Sequence, residues 1–317
     1  MYQVSLKDDF NDLLDYQRWL SESISKFNSY YDGKIERYRQ GFVEWRIQNR
    51  PDWYGQGTTW EELAAGVKEY KSPELIEQVL DKVNQNVSMN IINRIKKRKL
   101  DFNAMGLGVF CFDRAAMTLH KVKTPSGKTK VRTATKELFA WFPQESRVHH
   151  AVEMYISAGM NANVSATNML YAGISAIILA ELLILAGIRV KINIVIGSAI
   201  TESKNDYVGC IVPIKDFDQP FDRNLTALLT SDPRFYRFDG MKGIVAIYRH
   251  FGMDVPEGLG YVPDAKELER LFEQSGYAKE NSQAQHRYYF GGTSSEAAAI
   301  RDISNTITDL ASKLEHI

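Results

Sequence analysis

The chain has 317 residues, 44% hydrophobic and 25% charged, and its 39 basic and 39 acidic side chains cancel to a formal charge of zero. This composition excludes a disordered or collagen-like chain and allows a large core, as one big domain or two of ordinary size. The acidic opening MYQVSLKDDFNDLL shows no secretory signal, and the two cysteines, Cys111 and Cys210, sit in apolar strand-like contexts, so a cytoplasmic location is expected.

Phe10, Leu13, Leu20, Ile24 and Phe27 recur at helical spacing and predict a helix over 8–31. Ile35, Tyr38, Phe42 and Trp45 form a second stripe, which Pro51 ends. RPDWYGQGTTW is a Gly-rich turn, and Thr59 with Glu62 three residues on is a capping box that opens a third helix. Ser72-Pro73 starts a fourth, marked by Ile76, Leu80, Val83 and Val87, which runs into INRIKKRKL. GLGVFCFDRAAMTLHKVK and KTKVRTATK then read as three short antiparallel strands around a TPSG turn.

From residue 151 the pattern changes. AVEMYISAG reads as a strand, 167–186 as a long apolar helix, and IRVKINIVI as a second strand after Gly187. This β-α-β order predicts parallel strands in one sheet with the helix across a face. The pure apolar run is shorter than the roughly 20 residues a bilayer requires. It also carries Glu181, so it reads as a core helix and no membrane partner is expected. A strand at 207–214, helices at 220–235, 241–251 and 264–274, the strand HRYYF and a closing helix after GGTSS follow. The expected fold class is α/β: a Rossmann-like sheet with flanking helices in 147–317, preceded in 1–146 by a helical region and a small antiparallel β hairpin.

Two stretches carry a resemblance: WYGQGTTWEELAAG, and RVHHAVEMYISAGMNANVSATNMLYAGISAIILAELLILAGIRVKI. Both are similar to phage and bacterial proteins of uncharacterised function that contain a von Willebrand factor A-like domain. The likeness spans roughly the middle half of the chain. It implies a von Willebrand A-like sheet, a phage or host protein as partner and, for a phage-encoded chain, the host cytoplasm. In such domains the loop after the first strand holds an Asp-x-Ser-x-Ser metal site, and the matching positions here are Asn161, Asn163 and Ser165. Asparagine in place of the aspartate removes the charge that anchors a hard cation such as Mg²⁺. No cofactor is therefore expected, and these residues stand either as a degenerate metal site or as the cap of a helix N-terminus.

Charge is unevenly spread. Between residues 91 and 136 twelve basic side chains face two acids. Arg94, Lys96, Lys97, Arg98 and Lys99 end the fourth helix, and Lys121, Lys123, Lys128, Lys130 and Arg132 lie on the hairpin. With TPSG as a four-residue connection, Lys123 faces Lys128, Lys121 faces Lys130 and Leu119 faces Arg132, so the lysines share one side. Like charges directly opposite each other cost tenths to about 1 kcal/mol a pair. Such a face calls for an outside anion, either the phosphates of nucleic acid, single-stranded DNA foremost, or an acidic protein; otherwise the lysines keep an edge strand soluble. Trp53, Tyr54, Trp60, Phe110 and Phe112 offer stacking surfaces for unpaired bases, or else fill the core.

Other signals are structural. SGKTK lacks the upstream glycine of a phosphate-binding loop and sits inside a hairpin. Thr293 and Glu296 after HRYYF make a capping box, or leave a turn whose N–H groups face an anion. The six histidines show no metal-ligand spacing, and no Ser-His-Asp set can be argued, so an enzyme is not expected. Ile300, Ile303, Ile307, Leu310 and Leu314 form a heptad seam that docks on its own domain, pairs with a second copy or binds a partner helix. The resulting expectation is a non-enzymatic nucleic-acid-binding accessory protein for transcription, replication or packaging. The alternative is a protein-interaction adaptor working with an ATPase or a virion component.

Overall fold

The computed structural model describes residues 3–70, 73–86, 101–106, 109–117, 119–125, 128–133, 135–141, 150–200, 206–277, 280, 282 and 284–315. Its first elements are β1 (Gln3–Lys7), α1 (Leu13–Ser25), α2 (Ser29–Ile35), α3 (Gln40–Asn49), α4 (Trp60–Ala65) and α5 (Pro73–Asn86). Next come β2 (Asp101–Asn103), β3 (Val109–Phe110), α6 (Phe112–Met117), β4 (Leu119–Lys123), β5 (Thr129–Thr133) and β6 (Phe139–Trp141). The last part runs β7 (Ala151–Ser157), α7 (Ala166–Met169), α8 (Ile174–Leu185), β8 (Arg189–Ala199), β9 (Asp206–Lys215) and α9 (Arg223–Ser231). A π-helical turn (Phe235–Gly240), α10 (Met241–His250), α11 (Ala265–Gln274), β10 (His286–Phe290) and α12 (Glu296–Glu315) complete it.

These elements form two compact units, one joining 1–95 to 150–317 and the other comprising 96–149. The N-terminal helices, expected to go with the hairpin in 1–146, share a core with the α/β half instead. In the larger unit five strands are ordered β1-β9-β8-β7-β10, with every neighbouring pair parallel except β8 and β9. β7 is buried along its whole length, as a strand covered on both faces must be. On one face Val152, Met154 and Ile156 pack with Val190 and Ile192 against α5, α8 and α12. On the same side of β8 and β9, Ile194, Ile196, Val208 and Cys210 meet α1 and α10. The opposite face brings Tyr155, Val195 and Tyr207 against Leu268, Leu271 and Phe272 of α11.

The predicted β-α-β unit is present, but its helix is broken into α7 and α8. A Cβ on Gly173 would lie 1.9 Å from Thr230 Oγ1, so α9 sits directly against bare backbone there. Glu181 is tolerated because Arg223 of α9 lies 3.6 Å away, although burial still raises its pKa. The stretch Ala166–Leu185 is long and apolar enough to cross a membrane, and most of it is buried in this core. The heptad seam of α12 is spent in the same place. Ile303, Ile307 and Leu310 are fully buried against α8 and the sheet, and Ile300 is partly so, which leaves these residues no free apolar stripe for a second copy. The side chain of Leu314 lies outside the described residues. Ser295, not Thr293, caps α12: its Oγ accepts from Ala298 N at 3.3 Å, while Thr293 donates to Asp302 at 2.7 Å.

The smaller unit holds a three-stranded antiparallel sheet ordered β2-β6-β3 and the separate ribbon β4-β5. FDRAAM, expected as strand, is the helix α6. Arg, Ala and Met are strong helix formers, and here local propensity prevails over the aromatic pattern of the preceding residues.

Candidate functional site

A cavity of about 240 Å³ opens beyond the carboxyl ends of β7 and β10, between loops 159–164, 261–264 and 292–294. Helices on opposite faces of parallel strands leave such a crevice where neighbouring connections diverge. Asn161 crosses it as a brace. Its Oδ1 accepts from Val262 N at 2.9 Å, and its Nδ2 donates to Val262 O at 3.3 Å. Ser165 Oγ accepts from Asn168 N at 3.2 Å and so caps α7, while Asn163 is exposed. Asp264 caps α11, accepting from Glu267 N at 2.9 Å.

These residues do not fit a Mg²⁺ site. A hard cation favours carboxylate oxygens free to turn toward it, and here the Asn161 amide is locked onto Val262, the Ser165 hydroxyl caps α7 and the Asp264 carboxylate caps α11. Among the described residues no three His, Cys, Asp or Glu gather in a metal-holding group. Replacing Asn161 with aspartate removes the donor to Val262 O and sets a carboxylate oxygen against that carbonyl. The expected cost is about 1–3 kcal/mol in urea denaturation, with no recovery on adding Mg²⁺. Stabilisation of the variant by millimolar Mg²⁺ would show that the loop is a latent cation site instead.

The loop is gripped from behind by the π-helical turn. A Cβ on Gly159 would stand 2.1 Å from Tyr236 Cε2, so only glycine lets that ring close over the loop. Arg237, 2% exposed, donates to Val164 O in the loop and to Trp53 O in the WYGQGTT turn, and lies over the Trp53 ring at 4.4 Å. Burial pulls its pKa down to about 10, so it remains charged at neutral pH. Beside it, Arg234 clasps Asp232 through Nε at 3.0 Å and Nη2 at 2.6 Å, and its Nη1 lies 3.7 Å from Glu62. Glu62 is also the acid of the expected capping box with Thr59. The WYGQGTT turn is therefore a structural clasp. Tyr54 is 1% exposed and offers no stacking surface, and Trp53 and Trp60 are partly buried with their rings packed against the core.

The ribbon departs from the expected register by one residue. Leu119 pairs with Thr133, Lys121 with Val131 and Lys123 with Thr129, while His120 faces Arg132 and Val122 faces Lys130. The shared lysine face does not exist, because a one-residue slip sends alternate side chains to the other side. Lys121 and Lys123 hold positions on one face, and Lys128, Lys130 and Arg132 hold positions on the other. The directly opposed lysine pairs, and the repulsion argued from them, are absent. What remains is exposure. Lys121, Lys128, Lys130 and Arg132 are exposed and have no ion-pair partner among the described residues. Leu119 and Val131 beside Lys121 are 55% and 60% exposed. Arg94, Lys96, Lys97, Arg98 and Lys99 lie outside the described residues, as does the side chain of Lys123. Phe112 is 78% exposed on α6, packed edge-on to the half-buried Phe110 at 4.9 Å.

Residues 140–315 match the family described as Domain of unknown function (DUF7192). The chain belongs to that family. No curated protein and no solved structure matches it. The DUF7192 match takes in β7 to α12, and with them the crevice and both buried arginines. The ribbon and the WYGQGTT turn precede it.

Reading the sequence missed the Asp232, Arg234 and Arg237 group. Its signal was four charges, these three and Asp239, within SDPRFYRFDG, a stretch otherwise rich in aromatics, where charged side chains persist only if they are paired or hydrogen-bonded.

Proposed function

We propose that this DUF7192 protein is a nucleic-acid-binding accessory protein that acts without covalent chemistry through the β4-β5 ribbon, in transcription, replication or packaging. The observation that carries the reading is the set of exposed cations on a ribbon of ten paired residues, none of them answered by an acid among the described residues. Phosphate backbones supply that countercharge by releasing condensed ions, which makes binding steeply salt-dependent. If four phosphates are neutralised, affinity falls roughly a hundredfold between 50 and 200 mM salt. Fluorescence anisotropy on a mixed pool of labelled oligonucleotides measures this slope. Changing Lys121, Lys128, Lys130 and Arg132 together to Glu is expected to abolish binding at the higher salt. An unchanged affinity and slope in that variant would rule the ribbon out.

A second reading, a von Willebrand A-like protein-interaction adaptor, draws support from the crevice. The strand order β9-β8-β7-β10 with one antiparallel pair, and a cavity at the carboxyl ends of β7 and β10, suit a surface that receives a partner's side chain. A protein captured from nuclease-treated extract, and released by Ser294→Trp at the crevice rim, would favour it over the ribbon.

A further inference from the structure

The geometry points to duplex B-form DNA, entered through its major groove, as the ligand of the ribbon; this rests on the nucleic-acid reading above. A single strand is held along one cationic face by rings on which successive bases stack. The ribbon lacks the rings, and its cations are not confined to one face. Its cations are divided, with Lys121 and Lys123 on one face and Lys128, Lys130 and Arg132 on the other. Apart from the imidazole of His120, the two strands carry no aromatic ring. Tyr54 is buried and Trp53 and Trp60 pack against the core, while Phe112, 78% exposed on α6, is a single ring outside the two strands and makes no row of platforms for successive bases.

Cations on both sides of a thin ribbon match a slot whose two walls are both anionic. A β layer with its side chains is about 10 Å thick, the distance at which sheets stack. The major groove of B-DNA is about 12 Å wide with phosphates along each wall, while the minor groove is about 6 Å wide and would have to be forced open. Entering edge-on, the ribbon sets Lys121 toward one wall and Lys130 and Arg132 toward the other. A-form RNA, whose major groove is deep and narrow, does not admit it.

The test is competition among three 24-mers of one sequence: single-stranded DNA, duplex DNA and duplex RNA. It is run on the full chain and on two charge reversals, Lys121→Glu with Lys123→Glu, and Lys128→Glu with Lys130→Glu and Arg132→Glu. Thermal melting confirms that these surface variants fold. Duplex DNA is expected to bind at least about tenfold tighter than either competitor, and each reversal to weaken it and flatten the salt slope by about the number of cations changed. Protection of guanine N7 from dimethyl sulfate is expected in the bound duplex. Equal affinity for the single strand, full binding after reversal of either face, or unprotected N7 would overturn groove entry while leaving nucleic-acid binding in place. Failure of all three nucleic acids to bind would remove the nucleic-acid reading itself.

Discussion

Arg234→Met is expected to lower the stability of the larger unit by about 3–5 kcal/mol, seen as a fall in urea midpoint at unchanged m-value. The guanidinium meets Asp232 in a two-bond clasp, lies 3.7 Å from Glu62 and covers the Tyr70 ring at 4.7 Å. All three charged groups are buried. Methionine fills the volume but leaves two carboxylates with no cation in a poorly solvated place, and that residue of unpaired charge is the costly part. Arg234→Lys should recover only a fraction, since one ammonium cannot reproduce the forked contact. Combining Arg234→Met with Asp232→Leu and Glu62→Gln should recover more than lysine does, because an ion pair removed entirely can be nearly neutral. A loss below about 1 kcal/mol in the single variant would mean that water reaches the clasp and screens it.

The parts of the fold that could be read in advance were those in which local pattern and final packing agree. The β7-α8-β8 unit is one, because an apolar strand, an apolar helix and Gly187 at a φ of +79° all point the same way. β1 was not legible. QVSLK is short and only half-buried, and its strand state depends on the edge of β9, which lies about two hundred residues along the chain. Gly173 could not be recognised as a helix break without Thr230. The ribbon register turned on Thr124, whose N and Oγ1 both donate to Lys128 O at 2.8 and 2.9 Å. A residue before proline favours extended backbone, so Thr124 prolongs the strand by one place and shifts every pair. At the crevice, the missing carboxylate at Asn161 was legible but the use of its amide was not, since Val262 is 101 positions away.

Arg237→Met is expected to cost about 3–4 kcal/mol, from two charge-assisted hydrogen bonds to carbonyls that would be left buried and unanswered. The location of the loss matters more than its size. One carbonyl belongs to Trp53 in the N-terminal clasp and the other to Val164 at the crevice, so a single side chain ties the front of the chain to the loop after β7. Its charge is held with Asp52 as the strongest favourable electrostatic neighbour, and with a pKa near 10 it adds no slope to stability around neutral pH. Hydrogen exchange should therefore show residues 52–58 and 159–164 losing protection together in the variant, ahead of global unfolding. Arg237→Lys, able to reach one carbonyl at a time, should free one segment more than the other. If methionine and lysine behave alike and both segments keep their protection, the guanidinium is filling space, and the hold on the crevice loop must be assigned to the closure of Tyr236 over Gly159.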